Sequence, residues 1–363
     1  KYTVKVSNAE IESAYKKVPK KIVSAMKVAM RNIKRYAELQ MPKQWKKRID
    51  EGITVGQIIR PIDSVGCYVP SGLYPLPSTL LMTVVTAKTA GVKNVIVCTP
   101  PRLNNSEIYL AGALAGADAI FKIGGAQAIA GMSYGTESIP RVNKIVGPGN
   151  IFVTAAKKLV YGDVDIDFIA GPTEVIIYSE KGNKKFISAD MLAQAEHDRL
   201  AMSLFITPNK KLAEDVKEEL EEQLRSLGTK TTAEESIRNF SAIIMVNNVN
   251  EAGELINEFA PEHLEIMDNK EKLLKLVRNA GAIFLGEYTP EASGDYATGP
   301  NHVLPTRGFA SSRAGLSVLD FVKMPAIQEL SKNGLKRLSK TITTLAETEG
   351  LLAHKKSVEV RFE

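Results

Sequence analysis

The sequence has few residues of the kinds that cross-link a chain or anchor it in a bilayer. Only two of its 363 residues are cysteines, Cys67 and Cys98, and both lie in apolar segments typical of strands. We therefore expect no disulfide framework, and a reducing compartment fits this composition better. No apolar run is long enough to cross a bilayer, and the first ten residues, KYTVKVSNAE, do not form a signal peptide. We expect a cytoplasmic protein with no membrane partner.

Sequence motifs of several common functional classes are also absent. The sequence has no zinc-finger spacing, no RNP-like aromatic motif, no G-x-S-x-G elbow and no P-loop. Its net charge of +6 is not concentrated, because the lysine-rich segments 16–27 and 209–225 have the pattern of amphipathic helices. We therefore expect no nucleic-acid partner.

The composition is that of an ordinary globular protein, with 44% hydrophobic and 24% charged residues. The first part, from about Ala9 to Met41, has apolar residues at helical spacing and a restart at Pro19. Short β-branched runs then alternate with amphipathic helix candidates. These runs are TVGQII (54–59), GCYVP (66–70), NVIVCT (94–99), AIFKI (119–123), KIV (144–146), EVIIYS (174–179), SLFIT (203–207), AIIMV (242–246) and AIFLG (282–286).

Strand–helix alternation predicts an α/β architecture with mainly parallel sheets. The strands are too many for one compact sheet, so two α/β units are expected. The last stretch, from about Phe321, has only helical periodicity and predicts a small helical domain.

Two glycine turns directly follow predicted strands. Gly124 and Gly125 separate a strand from a helix, and Gly147 and Gly149 precede a helix that opens at Asn150. Such turns place backbone N–H groups and a positive helix end together, which suits a phosphate group. Neither turn is a complete G-x-G-x-x-G motif, so simple tight turns remain the alternative.

The segment QAEHD, residues 194–198, gathers polar side chains at the end of a predicted helix. Gln194 and His197 are three residues apart and share one helix face, which suits a metal ion or a polar substrate. The alternative is a solvated helix end in which His197 interacts favourably with the helix dipole.

The chain has only four histidines, and each has a carboxylate or amide near it in sequence. Imidazole, carboxylate and amide oxygen together suit Zn²⁺ or a similar divalent ion. Glu262 and His263 are adjacent after a proline, which gives one loop both a carboxylate and an imidazole for proton transfer. For any single histidine, a hydrogen-bonded loop residue is the alternative. The other two histidines are His302 and His354.

Several blocks of the sequence resemble the histidinol dehydrogenase family, in that family's order, from about Ile59 to His354. The blocks are GCYVPSGLYPLPSTLLMTVVTAKTAGV, GGAQAIA, VGPGNIFVTAAK, IAGPTEV, AQAEHD, FAPEHLEI, GDYATGPNHVLPT and LLAHK. The resemblance implies a zinc enzyme that uses two NAD⁺ per histidinol, with one zinc ion per active site. It also implies a homodimer whose active sites are shared between subunits.

The resemblance assigns a role to individual positions of this chain. Glu262 and His263 match the acid–base pair, and Tyr68, Gln127 and Asn150 match positions that contact NAD⁺. The positions that match zinc ligands are Gln194, His197, Asp295 and, from the partner subunit in that family, His354. The positions that match substrate contacts are Thr173, Gln194, His197, His263, Asp295, His302, Glu349 and His354.

The fold that pattern and resemblance imply is α/β, with two incomplete Rossmann-like parallel-sheet domains and a small C-terminal helical domain. The expected first domain is discontinuous, residues 1–67 with 175–316, and the second Rossmann-like domain is 68–174. The expected helical domain, 317–363, contributes to the partner's active site. Two alternatives remain: a relative that oxidises a different amino or sulfo alcohol, and a non-catalytic binding relative. The first would change the substrate contacts, and the second would lose metal ligands or the acid–base pair.

Overall fold

The structure, a computed structural model, describes residues 3–71 and 75–363. The chain divides into two compact units. The first comprises Lys1–Gln40 and Ile62–Phe321, and the second comprises Met41–Pro61 and Val322–Glu363. The predicted domain boundaries divide the first of these units further and assign residues 41–61 to the first domain and not to the second unit; they stay a prediction.

The helices alternate with short strands along most of the chain. The helices are α1 (Asn8–Lys17), α2 (Lys20–Gln40), α3 (Pro77–Thr89), α4 (Ser106–Ala115), α5 (Gly125–Tyr134), α6 (Ile151–Val160), α7 (Lys184–Ala195), α8 (Lys210–Ser226), α9 (Lys230–Phe240), α10 (Val249–Phe259), α11 (Lys270–Leu276), α12 (Glu291–Tyr296), α13 (Lys332–Thr348) and α14 (Leu352–Glu359). Within the described part of the chain, no helix is long and apolar enough to cross a membrane.

The strands of the two units are numbered together along the chain. They are β1 (Trp45–Asp50), β2 (Ile53–Gln57), β3 (Arg60–Pro61), β4 (Ser64–Tyr68), β5 (Asn94–Thr99), β6 (Ala119–Lys122), β7 (Lys144–Val146), β8 (Asp165–Ile166), β9 (Glu174–Tyr178), β10 (Met202–Thr207), β11 (Ala242–Met245), β12 (His263–Ile266), β13 (Ala282–Leu285), β14 (Val322–Lys323) and β15 (Ala326–Leu330).

The described part of the first unit contains two parallel five-stranded sheets. Their strand orders are β6-β5-β4-β7-β8 and β11-β10-β9-β12-β13, and every pairing in them is parallel. Both sheets repeat the first five positions of the Rossmann order 3-2-1-4-5-6. The predicted α/β class with two incomplete Rossmann-like sheets is confirmed.

Helices cover both faces of these sheets, which explains the continuous apolar strand sequences. On β9, Val175, Ile176 and Ile177 have no exposed surface, and they pack in two clusters on opposite faces of the sheet. Truncation of one such isoleucine to alanine costs about 2–5 kcal/mol of unfolding free energy. Cys67 and Cys98 are free thiols, buried in the first sheet, as expected for reduced core residues.

The first residues extend the edge of the first sheet. The backbone N–H of Val6 donates to Ile120, and that of Lys122 donates to Val4, so this segment runs antiparallel to β6. The helical region predicted for 9–41 is confirmed as α1 and α2, which are separated at Pro19.

The second unit contains strands as well as helices. β1, β2 and β15 form an antiparallel sheet, and β14 pairs with β3. Ala326–Leu330 is therefore a strand, although only helical periodicity was expected after Phe321. Five residues are too few to separate the two periods, and pairing with β2 supplies the backbone hydrogen bonds that decide the conformation. The segment 54–59, predicted for a parallel sheet, lies in β2 of this antiparallel sheet.

Candidate active site

Two neighbouring strands of the second sheet bring distant polar residues together at their amino ends. Thr173 precedes β9, and Glu262 precedes β12. The two strands pair in parallel, with His263 opposite Val175. His263 is therefore the first residue of a buried strand, and not part of a loop as the proline before it suggested.

Glu262 is buried and hydrogen-bonded on one side. Its Oε2 accepts from the Thr173 hydroxyl at 2.6 Å and from the Glu174 N–H at 3.0 Å. Burial raises the pKa of Glu262 well above its usual range, and these two donors oppose the rise. A carboxylate with a raised pKa is a stronger base than one in water, so this group can take a proton from a nearby water molecule.

His263 has one ring nitrogen in contact with protein and one free. Nδ1 lies 3.1 Å from the carbonyl oxygen of Glu174, which fixes the proton on this nitrogen. Nε2 is buried and has no hydrogen-bond partner among the described residues. Burial lowers the pKa of His263 to about 4, so the ring is neutral at neutral pH and its Nε2 lone pair is available.

The Gln194 amide lies between Thr173 and a buried carboxylate that the sequence analysis did not name, Glu291. Gln194 Nε2 donates to the Thr173 hydroxyl at 2.8 Å. The amide oxygen lies 2.7 Å from Glu291 Oε1, so two acceptors face each other. An exchange of the amide nitrogen and oxygen resolves this conflict, because the nitrogen then donates to Glu291 and the oxygen accepts from the Glu174 N–H at 2.7 Å. Burial raises the pKa of Glu291, and the charge of Asp295 adds to the rise.

A group of metal-type donors lies next to this amide. His197 Nε2 and Asp295 Oδ2 are 3.7 Å apart, and these two residues with Glu291 place one donor atom each within 4.8 Å of one another. Nitrogen and carboxylate oxygen donors at this spacing fit a divalent ion of the zinc class. Glu291 and Asp295 are four residues apart on α12, and this spacing on one helix face was the sequence signal for Glu291.

His302 is held by contacts within the protein. Its Nδ1 lies 2.9 Å from the carbonyl oxygen of Asp295, and its Nε2 lies 3.2 Å from the hydroxyl of Thr79. Burial lowers the pKa of His302. Both ring nitrogens therefore contact protein atoms, and the side chain fixes the position of Asp295.

The residues expected to contact NAD⁺ lie at the carboxyl edge of the first sheet, where β4 and β7 are neighbours. The hydroxyl of Tyr68 accepts from the N–H of Gly125 at 3.1 Å, and Gln127 follows in the first turn of α5. Asn150 caps α6, and its Oδ1 accepts from the N–H groups of residues 152 and 153. This edge, next to a reversal of strand order, is the usual ligand site of such sheets.

Some backbone donors that the glycine turns were expected to offer to a phosphate are already used. The N–H of Gly125 is bonded to Tyr68, and that of Gly147 donates to Asp167 Oδ2 at 2.7 Å. The turns therefore hold side chains of the same edge in place, in addition to any contact with a ligand.

Two cavities meet at Asp295. One, of 850 Å³, is lined by Pro70 and Pro75 from the segment after β4 and by His197 and Asp295. The other, of 590 Å³, is lined by Asp295, His302 and His263. The first cavity extends from the segment after β4 to His197 and Asp295, and the second is lined by His263.

The remaining two predicted residues belong to the second unit. Glu349 is the C-terminal cap of α13, and His354 lies in the first turn of α14. Both side chains are exposed, so they are accessible to another molecule.

Comparison with known proteins gives one consistent family. A family model described as histidinol dehydrogenase matches residues 1–362. A histidinol dehydrogenase of Methanothermobacter thermautotrophicus is 48% identical over 362 residues, which are 98% of this chain and 85% of the relative. The enzyme of that name from Methanococcus maripaludis is 50% identical over 362 residues, with coverage of 98% and 85%.

Solved structures agree with the sequence relatives. A histidinol dehydrogenase crystal structure from Elizabethkingia anophelis has a TM-score of 0.97 and 36% identity, and it covers 100% of this chain and 85% of that chain. An acetylating aldehyde dehydrogenase from Geobacillus thermoglucosidasius, 14% identical with a TM-score of 0.55 and coverage of 90% and 93%, is similar in fold alone. The chain therefore belongs to the histidinol dehydrogenase family.

Proposed function

We propose that this protein oxidises L-histidinol to L-histidine through L-histidinal, with transfer of two hydrides to NAD⁺ and with zinc orienting the substrate. One observation carries the proposal beyond family membership. His263 is a neutral histidine whose free Nε2 is buried beside a cavity, one residue from a carboxylate of raised pKa and next to a group of metal-type donors.

The first oxidation needs a base for the alcohol proton. His263 Nε2 takes the proton of the substrate hydroxyl while a hydride leaves the carbon that carries this hydroxyl. The products are an aldehyde and a protonated imidazole. The carbonyl of Glu174 holds the Nδ1 proton throughout, so the base keeps one tautomer. When bound, NAD⁺ supplies the hydride acceptor for both oxidations.

The second oxidation needs water at the aldehyde carbon. Glu262 takes one proton from the water as the water oxygen bonds to that carbon, and the protonated His263 gives its proton to the former carbonyl oxygen, so the product is an aldehyde hydrate. Thr173 and the Glu174 N–H hold Oε2 of this carboxylate in place. His263, after release of its first proton, takes a hydroxyl proton of the hydrate as the second hydride leaves, and the product is a carboxylic acid.

The donor atoms that one copy of this chain supplies fit a zinc ion. Gln194, His197 and Asp295 are the proposed ligands from one subunit, and His354 is the proposed ligand from its partner. When bound, zinc holds the imidazole and amine of the substrate and so fixes the reacting carbon near the base.

The proposal extends to the cofactor contacts, the assembly and the compartment. Tyr68, Gln127 and Asn150 are the proposed NAD⁺ contacts, and they share one edge of the first sheet. The protein is proposed to act as a cytoplasmic homodimer. His302, Glu349 and Thr173 are proposed to complete the recognition of the amino alcohol.

An assay of NADH formation against a panel of amino and sulfo alcohols tests this function. We expect histidinol to be the preferred substrate, with two NADH and one histidine formed per histidinol consumed. A single NADH per substrate would contradict the two-step oxidation. A preference for another alcohol would favour the alternative substrate class.

A further inference from the structure

The buried ion pair of Lys157 and Asp167 binds both the carbonyl oxygen and the N–H of Gly147, in the turn after β7. Lys157 Nζ donates to the carbonyl oxygen of Gly147 at 3.0 Å and to Asp167 Oδ1, while Asp167 Oδ2 accepts from the N–H of Gly147. We propose that Lys157 and Asp167 are positioning residues for NAD⁺ binding. The proposal rests on the proposed function, because it concerns the cofactor of that reaction.

The turn has no freedom to move without moving a proposed cofactor contact. Gly147 has a φ of +112°, and a Cβ at this position would lie 2.1 Å from the carbonyl oxygen of Tyr68. The backbone of the turn therefore packs directly on the residue that ends β4. A side chain at this position, or a shift of the turn toward β4, would displace Tyr68.

The same ion pair connects the turn with helix α6. Lys157 lies on α6, two turns after the helix begins at the Asn150 cap. Asn150 is thus fixed from two sides, by the turn that precedes it and by the helix that follows it. Loss of the Lys157 contact would release the turn from the helix and change where the Asn150 side chain points.

Stability alone does not account for a charged pair at this place. Lys157 and Asp167 are 2% and 1% exposed, and their ammonium and carboxylate groups have lost their water. Apolar residues of similar volume usually stabilise a protein as well as, or better than, such a pair. An apolar pair cannot supply the two hydrogen bonds to Gly147, nor the one that Asp167 Oδ1 accepts from the N–H of Phe168 at 2.6 Å.

The chain offers a matched control at the other end of β7. Lys144 is also a buried lysine, 7% exposed, and its Nζ pairs with Asp165 at 3.0 Å and with Asp320 at 3.7 Å. It begins β7, whereas the Gly147 turn follows the last residue of β7. Lys157→Met and Lys144→Met therefore remove the same charge at comparable burial, with only the first at the turn.

The experiment measures binding of NAD⁺ and of histidinol by calorimetry, and backbone hydrogen exchange of residues 147–153. We expect Lys157→Met to raise the Kd for NAD⁺ by about tenfold or more, with the Kd for histidinol unchanged. Exchange at 147–153 should become faster in this variant. Lys144→Met should lower the melting temperature and leave both dissociation constants within about twofold of the native values.

A double variant separates position from stability. Lys157→Met with Asp167→Leu leaves no unpaired buried charge, so we expect the melting temperature to recover while NAD⁺ binding stays weak. Native affinity for NAD⁺ in folded Lys157→Met would overturn the proposal, as would full recovery of affinity in the double variant. A failure of the proposed function is distinguishable, because unsubstituted protein would then bind no NAD⁺ at all, and that result would overturn the cofactor role as well.

Discussion

The Thr173 hydroxyl donates a 2.6 Å hydrogen bond to Oε2 of Glu262, although 89 residues separate the two in sequence. The same hydroxyl oxygen lies 2.8 Å from the side-chain amide of Gln194. One hydroxyl group thus connects the proposed base for water with a proposed zinc ligand. The position needs the hydroxyl and not the methyl group of threonine, which leads to a paired substitution.

We expect Thr173→Val to lower kcat for NADH formation by roughly 10- to 100-fold, because a hydrogen bond to a charged group contributes about 1.5–3 kcal/mol. Thr173→Ser keeps both hydrogen bonds and should retain most of the activity. Steady-state rates with histidinol and saturating NAD⁺ compare the two variants. Equal rates in the valine and serine variants would show that the hydroxyl does not hold Glu262 in a working position.

A second carboxylate cluster lies deeper in the sheet and gives a prediction about stability. Glu265 on β12 accepts the N–H of Glu291 with Oε1, whereas its Oε2 has no hydrogen-bond partner among the described residues. Burial raises the pKa of Glu265 well above its usual range and that of Asp190 to about 6. The negative charge of Asp190 adds to the shift at Glu265. The folded protein therefore favours the protonated form of this pair.

Because these folded-state pKa values lie above the unfolded ones, the pair stabilises the fold fully at acidic pH, and this contribution is lost as pH rises through the folded pKa values. Glu265→Gln keeps the acceptor for Glu291 and cannot ionise. We expect it to increase the unfolding free energy at pH 8 by roughly 1–3 kcal/mol, with a smaller gain at pH 5. Chemical denaturation at the two pH values measures the difference.

Glu10→Gln is a control of opposite sign. Glu10 accepts from the N–H of Ser7, and its pKa is lowered, chiefly by that hydrogen bond. Its contribution is present above the unfolded pKa and lost as pH falls, so this substitution should destabilise the protein at pH 8. If Glu265→Gln also destabilised the protein more at pH 8 than at pH 5, the buried pair would be ionised at no cost, contrary to its burial.

The sequence was sufficient for most of the parallel sheets. Runs such as 94–99 and 174–179 have an unbroken apolar centre, residues 95–98 and 175–178, because both faces of the sheet are covered by helices. Such strands stand out from the amphipathic helices between them. Strand β12 did not stand out. It is four residues long and contains Glu265, whose buried carboxyl group interrupts the apolar pattern. The pairing with β9 and β13, which is not visible in sequence, makes it a strand.

The residues of the candidate site could likewise be predicted only in part from the sequence. Residue types and motif blocks identified Glu262, His263 and Gln194, and the structure brings these three together with Thr173. Glu291 was missed because two acidic residues four apart are common on exposed helices, and only the fold shows that Glu291 is buried beside Gln194. Local patterns describe which groups are available, while burial depends on contacts between distant strands.

The metal-type donors predict a dependence on zinc. A chelator should remove most histidinol-dependent NADH formation, and added zinc should restore it, because the substrate is no longer oriented without the ion. Elemental analysis should find about one zinc per subunit in the native protein.

His197→Asn should bind less zinc than native protein. Glu196→Gln is the matched control, because this neighbouring side chain bonds to Thr229 and does not belong to the donor group. Full activity in metal-free protein would contradict the role of zinc.

The exposed position of His354 on the second unit, five residues after the exposed Glu349, allows a test of the proposed shared active site. His263→Asn and His354→Asn homodimers should both be inactive, the first without its base and the second without a zinc ligand. In the proposed shared site the two histidines come from different subunits, so in a mixed dimer both substitutions would fall in one site and the other site would be intact. Random exchange of equal amounts should therefore restore about one quarter of the native activity, since about half of the dimers are mixed and each has one working site.

A mixture of His263→Asn with Glu262→Gln should restore none, because these two residues come from the same subunit and every site carries one of the two changes. Recovery in neither mixture, after mass spectrometry has verified subunit exchange, would place His354 in the site of its own subunit or outside the site altogether.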